Sequence, residues 1–160
     1  MRAVRQIGLI SDTHGLMRPE ALAALNGVEL IIHAGDVGRP EILEALQSIA
    51  PTVAIRGNID RNPPCSALPP TEIVEAGATL IYVLHDLNDL DLDPVAAGFQ
   101  IVVSGHSHKP SQTERKGVWY INPGSAGPRR FRLPVTVARL DVSSLPLQAK
   151  IIELPVSDSR

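Results

Sequence analysis

The chain is almost without cysteine: Cys65 is the only one in 160 residues. That excludes an intrachain disulfide and a zinc cage built from several thiolates. A lone thiol fits a reducing compartment, so the expected location is the cytoplasm. A surplus of positive charge is also missing. Fifteen Lys and Arg stand against seventeen Asp and Glu, a formal net charge of −2. Nothing in that balance favours nucleic acid as a partner. The opening MRAVRQIGLIS runs directly into a strand pattern, with no apolar run long enough for a signal peptide or a membrane span. Membrane partners are therefore not expected. Internal repeats, low-complexity tracts and linkers are absent as well.

What is present is ordinary for a soluble globular chain, 44% hydrophobic and 20% charged. One domain is expected over residues 1–154, with a loose tail over 155–160. A domain of this size buries roughly 70% of its unfolded surface, so its core needs no covalent staple.

The first half alternates strand and helix. Val4–Ser11 reads as a strand, and Pro19–Leu25 as a helix with Pro at its first position and Glu20 in its first turn. Glu29–Ala34 is a second strand. Pro40 and Glu41 repeat the helix start; Ile42, Leu43, Leu46 and Ile49 give one apolar face, and Pro51 stops it. Thr52–Arg56 is the third strand. Such a βαβαβ run implies parallel pairing with right-handed crossovers. Arg61–Pro70 is an extended loop, Thr71–Ala76 and Thr79–Leu84 a hairpin, and Leu90–Gly98 holds one short helix. Gln100–Ser104, Gly117–Ile121, Val135–Asp141 and Leu147–Leu154 are further strands. The shift from alternation to consecutive strands predicts two packed sheets with helices outside.

The histidines carry the chemistry. His14 follows Asp12 in SDTHG, His33 leads HAGD, His85 ends the run TLIYVLH, and His106 and His108 form SGHSH. Each stands at or near a strand end, where ligands bind in open α/β sheets. Asp12, Asp36 or a single His would, taken alone, be read as a turn residue or a satisfied polar group. Gathered from many strands, they are best explained by bound metal. Imidazole and carboxylate together suit Mn, Fe, Ni or Zn better than Mg or Ca.

In order, the motifs are Asp12-x-His14, Gly35-Asp36, Gly57-Asn58, His85, Gly105-His106-x-His108 and Asn122-Pro123-Gly124-Ser125. This series resembles the calcineurin-like metallophosphoesterases, in particular their small prokaryotic phosphodiesterases, from Ile7 to Ser125. The resemblance implies a four-layer α/β–β/α sandwich of two mixed sheets flanked by helices. It implies two divalent ions per chain, manganese first, with nickel, iron or zinc as alternatives. Asp12, His14 and His108 would hold one ion and Asn58, His85 and His106 the other, with Asp36 bridging. A hydroxide shared by the two ions would attack phosphorus in line. Asn58 and Arg56 are the expected substrate-binding residues, a small phosphate ester is the expected substrate, and a homo-oligomer remains compatible. His33 receives a supporting role. Arg129, Arg130 and Arg132 read as a solvated loop, and Trp119 and Tyr120 as packing residues.

Two positions depart from the family. Asp86 stands where Gly usually follows the fourth-motif His. Ile59 stands where strong phosphomonoesterases carry a His directly after the Asn. Ile cannot transfer a proton, which favours a phosphodiesterase over a phosphomonoesterase. A metal-binding protein-interaction module of the same fold is the alternative.

Overall fold

The computed structural model describes residues 4–143 and 147–157. Strand β1 (Gln6–Ile10) leads to helix α1 (Pro19–Ala24), strand β2 (Leu30–His33), helix α2 (Pro40–Gln47) and strand β3 (Thr52–Ala54). Both helices start at a proline, as read from the sequence, but they end sooner. Leu25 and Ser48 already belong to their caps. Strands β4 (Thr71–Ala76) and β5 (Thr79–Leu84) form the expected hairpin, with Thr71 opposite Leu84 and Ala76 opposite Thr79. Helix α3 (Pro94–Ala97) is a single turn, capped by Asp93 and closed by Gly98 in the left-handed conformation. Strands β6 (Ile101–Val103), β7 (Ser111–Arg115), β8 (Val118–Asn122), β9 (Thr136–Asp141) and β10 (Gln148–Glu153) complete the chain.

Two five-stranded sheets result, ordered β10-β9-β1-β2-β3 and β4-β5-β6-β8-β7. In the first sheet β1-β2-β3 are parallel and run to one edge, with β9 and β10 antiparallel on the other side; in the second β5-β6-β8 form a parallel centre with β4 and β7 antiparallel at the edges. Strand β7 has no counterpart in the sequence reading. Its residues SQTER are all exposed, so no alternating apolar signal marks it. It exists because β8 offers it a ladder at the sheet edge.

The main core lies between the sheets. Ile7, Leu9 and Ile32 meet Ile81, Val83, Ile101 and Val103 there, nearly all fully buried. A second cluster packs α1 and α2 on the outer face of the first sheet through Ala21, Leu25, Ile42 and Leu46. The outer face of the second sheet is covered more thinly. Tyr82, Leu84, Phe99 and Val102 lie there with Leu87, Leu90 and Leu92 from irregular chain. The expected loose tail is partly docked, since Val156 packs against the second cluster. Residues 158–160 lie outside the described residues. No described helix is long and apolar enough to cross a membrane.

Candidate functional site

Parallel pairing puts the carboxyl ends of β1, β2 and β3 along one edge of the first sheet, and those of β5, β6 and β8 along one edge of the second. Asp12 and His14 follow β1, Asp36 follows β2, and Asn58 follows β3; His85 directly follows β5, and His106 and His108 follow β6. The two edges meet. His106 N–H donates to Asp12 Oδ2 (3.0 Å), and His85 Nε2 lies 3.3 Å from Asp36 Oδ2. All seven residues thus converge on one cluster.

Its geometry divides into two groups joined by carboxylates. Asp12 Oδ1 is faced by the Nε2 atoms of His108 (3.5 Å), His85 (3.7 Å) and His14 (3.8 Å). On the other side, Asn58 Oδ1 is 3.1 Å from His85 Nε2 and 3.2 Å from His106 Nδ1. Asp36 sits between: its Oδ2 is 3.3 Å from His14 Nε2 and 3.3 Å from His85 Nε2. Asp12 and Asp36 are buried, whereas the His106 side chain is 44% exposed, so the cluster opens on the His106 side.

The donor set fits divalent cations. Asp12 Oδ1, His14 Nε2 and His108 Nδ1 are buried without a hydrogen-bond partner, which is costly unless something else meets them. His85 Nδ1 donates to the Ala34 carbonyl at 2.7 Å, which turns Nε2 inward. Asp12, His14 and His108 form one group with metal-ligand spacing, and Asp12, Asp36 and His85 another. The second group shares Asp12 with the first, a proximity that motif order alone does not reveal.

The charges are mutually adjusted. Burial would raise the Asp36 carboxyl, but bonds from His85 and the Ile59 N–H, with nearby imidazoles, bring it down to about 2. Burial opposes Asp12 in the same way, and His14, Ser11, His85 and His108 hold it below the ordinary carboxylate value. His85 is pulled up to about 8: burial lowers it, and Asp36, the Ala34 carbonyl and Asp12 more than offset that. His108 is lowered, first by burial and then by Arg130, against the pull of Asp12.

Five of the seven residues hold an uncommon backbone. Asp12 (φ 56°), His14 (48°), Asp36 (58°), His106 (73°) and His108 (64°) lie in the left-handed region, as do only Lys116 and Phe131 among other described non-glycine residues. Such strain collects where surrounding bonds over-determine the chain. Here the bonds are Asp12 N–H to Gly35 O, His14 N–H to Asp36 O and Gly15 N–H to Val37 O, which lace the first two loops together. The motif glycines mostly serve close approach rather than turning. A Cβ on Gly57 would strike the Asp36 carboxylate, and one on Gly105 would strike Ser11 Oγ and Asp12 Oδ2; of Gly35, Gly57 and Gly105, only Gly35 has positive φ.

Several supporting residues were not assigned roles from sequence. Asp60 Oδ2 accepts from Gly57 N–H (2.8 Å) and Val37 N–H (3.1 Å), and its Oδ1 accepts from Gly38 N–H (2.9 Å). One buried carboxylate thus clamps the loops of Asp36 and Asn58. Its only sequence signal was an Asp two residues after Asn58. Asn122 Nδ2 donates to Gly105 O and Ser107 Oγ, and Ser125 Oγ donates to Asp12 O, so NPGS braces the histidine loop and the first loop. His33, expected to support, is fully buried: its Nδ1 accepts from Gly35 N–H, and its Nε2 meets Thr13 Oγ1 at 3.0 Å. Thr13 Oγ1 donates onward to Val37 O, so His33 Nε2 carries the proton. Arg56 does not reach into the cluster; its Nη1 donates to Leu68 O, and it lines the adjoining cavity. Asp86 is partly buried and turns toward the His106 side of the cluster. Its Oδ1 caps the following turn, and its Oδ2 lies 3.6 Å from His106 Nε2.

The family profile described as the calcineurin-like phosphoesterase superfamily domain matches residues 6–145. A probable metallophosphoesterase of Methanothermobacter thermautotrophicus is 37% identical over 151 residues, covering 87% of this chain and 88% of its own. Among solved structures, Vps29 of Chaetomium thermophilum aligns at TM-score 0.76 with 16% identity, covering 94% of this chain and 95% of its own. A phosphoesterase from E. coli aligns at TM-score 0.68 with 20% identity, covering 93% and 99%. These structural likenesses establish the metallophosphoesterase fold.

Proposed function

Because this chain belongs to the calcineurin-like phosphoesterase superfamily, we propose that it is a phosphodiesterase acting on small phosphate esters with two divalent ions, manganese foremost. The observation that carries this reading is Asp36 Oδ2, 3.3 Å from His14 Nε2 and 3.3 Å from His85 Nε2. It faces one imidazole from each proposed ion site, and Asp12 Oδ1, which faces His14 and His108 as well as His85, lies beside it. Asp12, His14 and His108 would hold one ion, and Asn58, His85 and His106 the other. Ions held there would supply an acidified water as nucleophile and would neutralise charge developing on phosphate oxygens.

The chain's own groups set the stage for that chemistry. Asp12 and Asp36 are ionised at neutral pH, and the Ala34 carbonyl keeps the His85 proton on Nδ1. In the ion-free centre His85 is largely protonated at neutral pH, so an ion held there would have to displace the proton on Nε2. Asn58 and Arg56, both at the open side, would orient the phosphate. Ile59 follows Asn58 and is 39% exposed on the rim, with no proton to give. A leaving group must therefore depart as a stable anion, which favours aryl diesters over alkyl monoesters.

The test is hydrolysis of bis(p-nitrophenyl) phosphate by the Mn²⁺-loaded protein, beside an alkyl phosphomonoester. Diester turnover that disappears with chelation supports the proposal; faster monoester turnover refutes the diester assignment. A second reading, a protein-interaction module, draws support from the fold likeness to Vps29 and from Leu16 and Ile59, both exposed beside motif residues. It predicts no turnover of either ester.

A further inference from the structure

A second cavity, of about 230 Å³, borders the cluster at His106; His106 and Asp86 line it and also line the larger cavity that holds Arg56. It is built on the outer face of the second sheet, at the carboxyl end of β6. Alternation puts Ser104 on the same face as Val102, which belongs to the outer cluster. Cross-strand register then sets Tyr120 beside Val102, Thr113 beside Tyr120 and Ser111 beside Asn122. Strand β7 is exposed along its whole length, and its alternate residues Ser111, Thr113 and Arg115 line this cavity. The observation that points to a ligand is Ser104. It is only 6% exposed and lines the cavity, and its hydroxyl has no hydrogen-bond partner among the described residues. A hydroxyl so enclosed is ordinarily paired. Ser107 Oγ accepts from Asn122 Nδ2 (3.1 Å) and from Lys109 N–H (3.2 Å), and its own proton has no acceptor among the described residues.

The charges of this cavity balance. Asp86 is its one carboxylate, and Arg115, whose guanidinium stands 5.0 Å over the Tyr120 ring, is its one guanidinium. A second anion would meet Asp86, and a cation would meet Arg115. A neutral group rich in hydroxyls meets donors and acceptors on every side. We infer that this cavity receives a neutral, polyhydroxylated ester arm of the substrate, hydrogen-bonded by Ser104, Ser107 and Thr113, while the phosphate sits at the cluster. The inference rests on the phosphoesterase reading and adds the substrate class.

The experiment compares three p-nitrophenyl phosphodiesters on the Mn²⁺-loaded protein, with 2,3-dihydroxypropyl, propyl and 2-carboxyethyl as the second arm. In each, hydroxide from water adds to phosphorus, the bond to p-nitrophenolate breaks and the arm stays on the phosphate, so one chromophore reads all three. The expected kcat/KM for the dihydroxypropyl ester is about five- to twentyfold above that for the propyl ester, the worth of about two neutral hydrogen bonds. Because the arm is neutral, the ratio holds as salt rises. It falls about threefold or more in Ser104→Ala and in Thr113→Val. Neither substitution orphans another group, since neither hydroxyl has a partner among the described residues to lose. Equal kcat/KM for the dihydroxypropyl and propyl esters overturns the subsite and leaves the phosphoesterase reading standing. Faster turnover of the carboxyethyl ester than of the dihydroxypropyl ester overturns the neutral arm. A preference that survives undiminished in both variants overturns this cavity as its source. No turnover of any of the three overturns both readings.

Discussion

Replacing Asp60 with Ala tests whether one carboxylate holds the two central loops in register. Three backbone N–H groups lose their acceptor: Val37, which is buried, and Gly38 and Gly57, which water reaches in part. A buried donor left unpaired costs about 1–3 kcal/mol, and each of the two wetter ones about 1 kcal/mol. The sum is about 3–5 kcal/mol, a large share of the roughly 5–15 kcal/mol that holds a domain folded. Asp60→Asn keeps one oxygen acceptor and turns an amide NH₂ toward N–H donors, so it should lose about half as much. Urea denaturation of the ion-free proteins, monitored by circular dichroism, gives the stability change. Mn²⁺ titration gives the functional one, because the same clamp fixes the loops of Asp36 and Asn58. A loss below about 1 kcal/mol for Asp60→Ala refutes the clamp. Full destabilisation with unchanged ion affinity refutes its link to the centre.

Three further outcomes are expected. Asp36→Ala should weaken both ions together, and elemental analysis that still finds two tightly held ions would contradict the bridging role. His33 is held down to about 4 by burial, against an ordinary 6.5. Below pH 6.5 the unfolded chain binds a proton that the folded chain refuses, so stability should fall between pH 6.5 and 4 by about 3 kcal/mol; His33→Gln should remove that slope from urea midpoints measured across the range. Ile59→His should raise alkyl monoester turnover, but well short of the roughly 10²–10⁴-fold typical of a well-placed general acid. Asp60 is buried and its carboxylate already accepts three backbone N–H bonds, which disfavours its orienting the new ring; kcat/KM for both substrate classes at equal ion content is the measurement.

The gathering of the seven residues was legible because each motif stands where a strand runs out, and parallel pairing brings such ends together. The helix starts and the hairpin were legible for similarly local reasons: proline at a first position, alternation on either side of Gly77. Strand β7 was not, since an exposed edge strand needs no apolar pattern. The Asp60 clamp was not, because it joins residues 37, 38 and 57 through their backbones, which no side-chain pattern records. The need for glycine at 57 and 105 was not legible either. They are small because Asp36 and Asp12 occupy the space, a fact of tertiary proximity alone.

The left-handed backbone at Asp12, His14, Asp36, His106 and His108 has an evolutionary consequence. Each such residue holds roughly 1 kcal/mol of conformational strain that glycine would not. Mutation of His14 or His106 to glycine therefore relaxes the chain while removing an imidazole from the cluster. In a lineage where turnover ceased to matter, drift at these positions would meet little resistance from folding. The shell would persist, and the imidazoles would be the first part to disappear. The architecture alone does not demand the imidazoles, so their loss would be read in ion binding before it was read in folding.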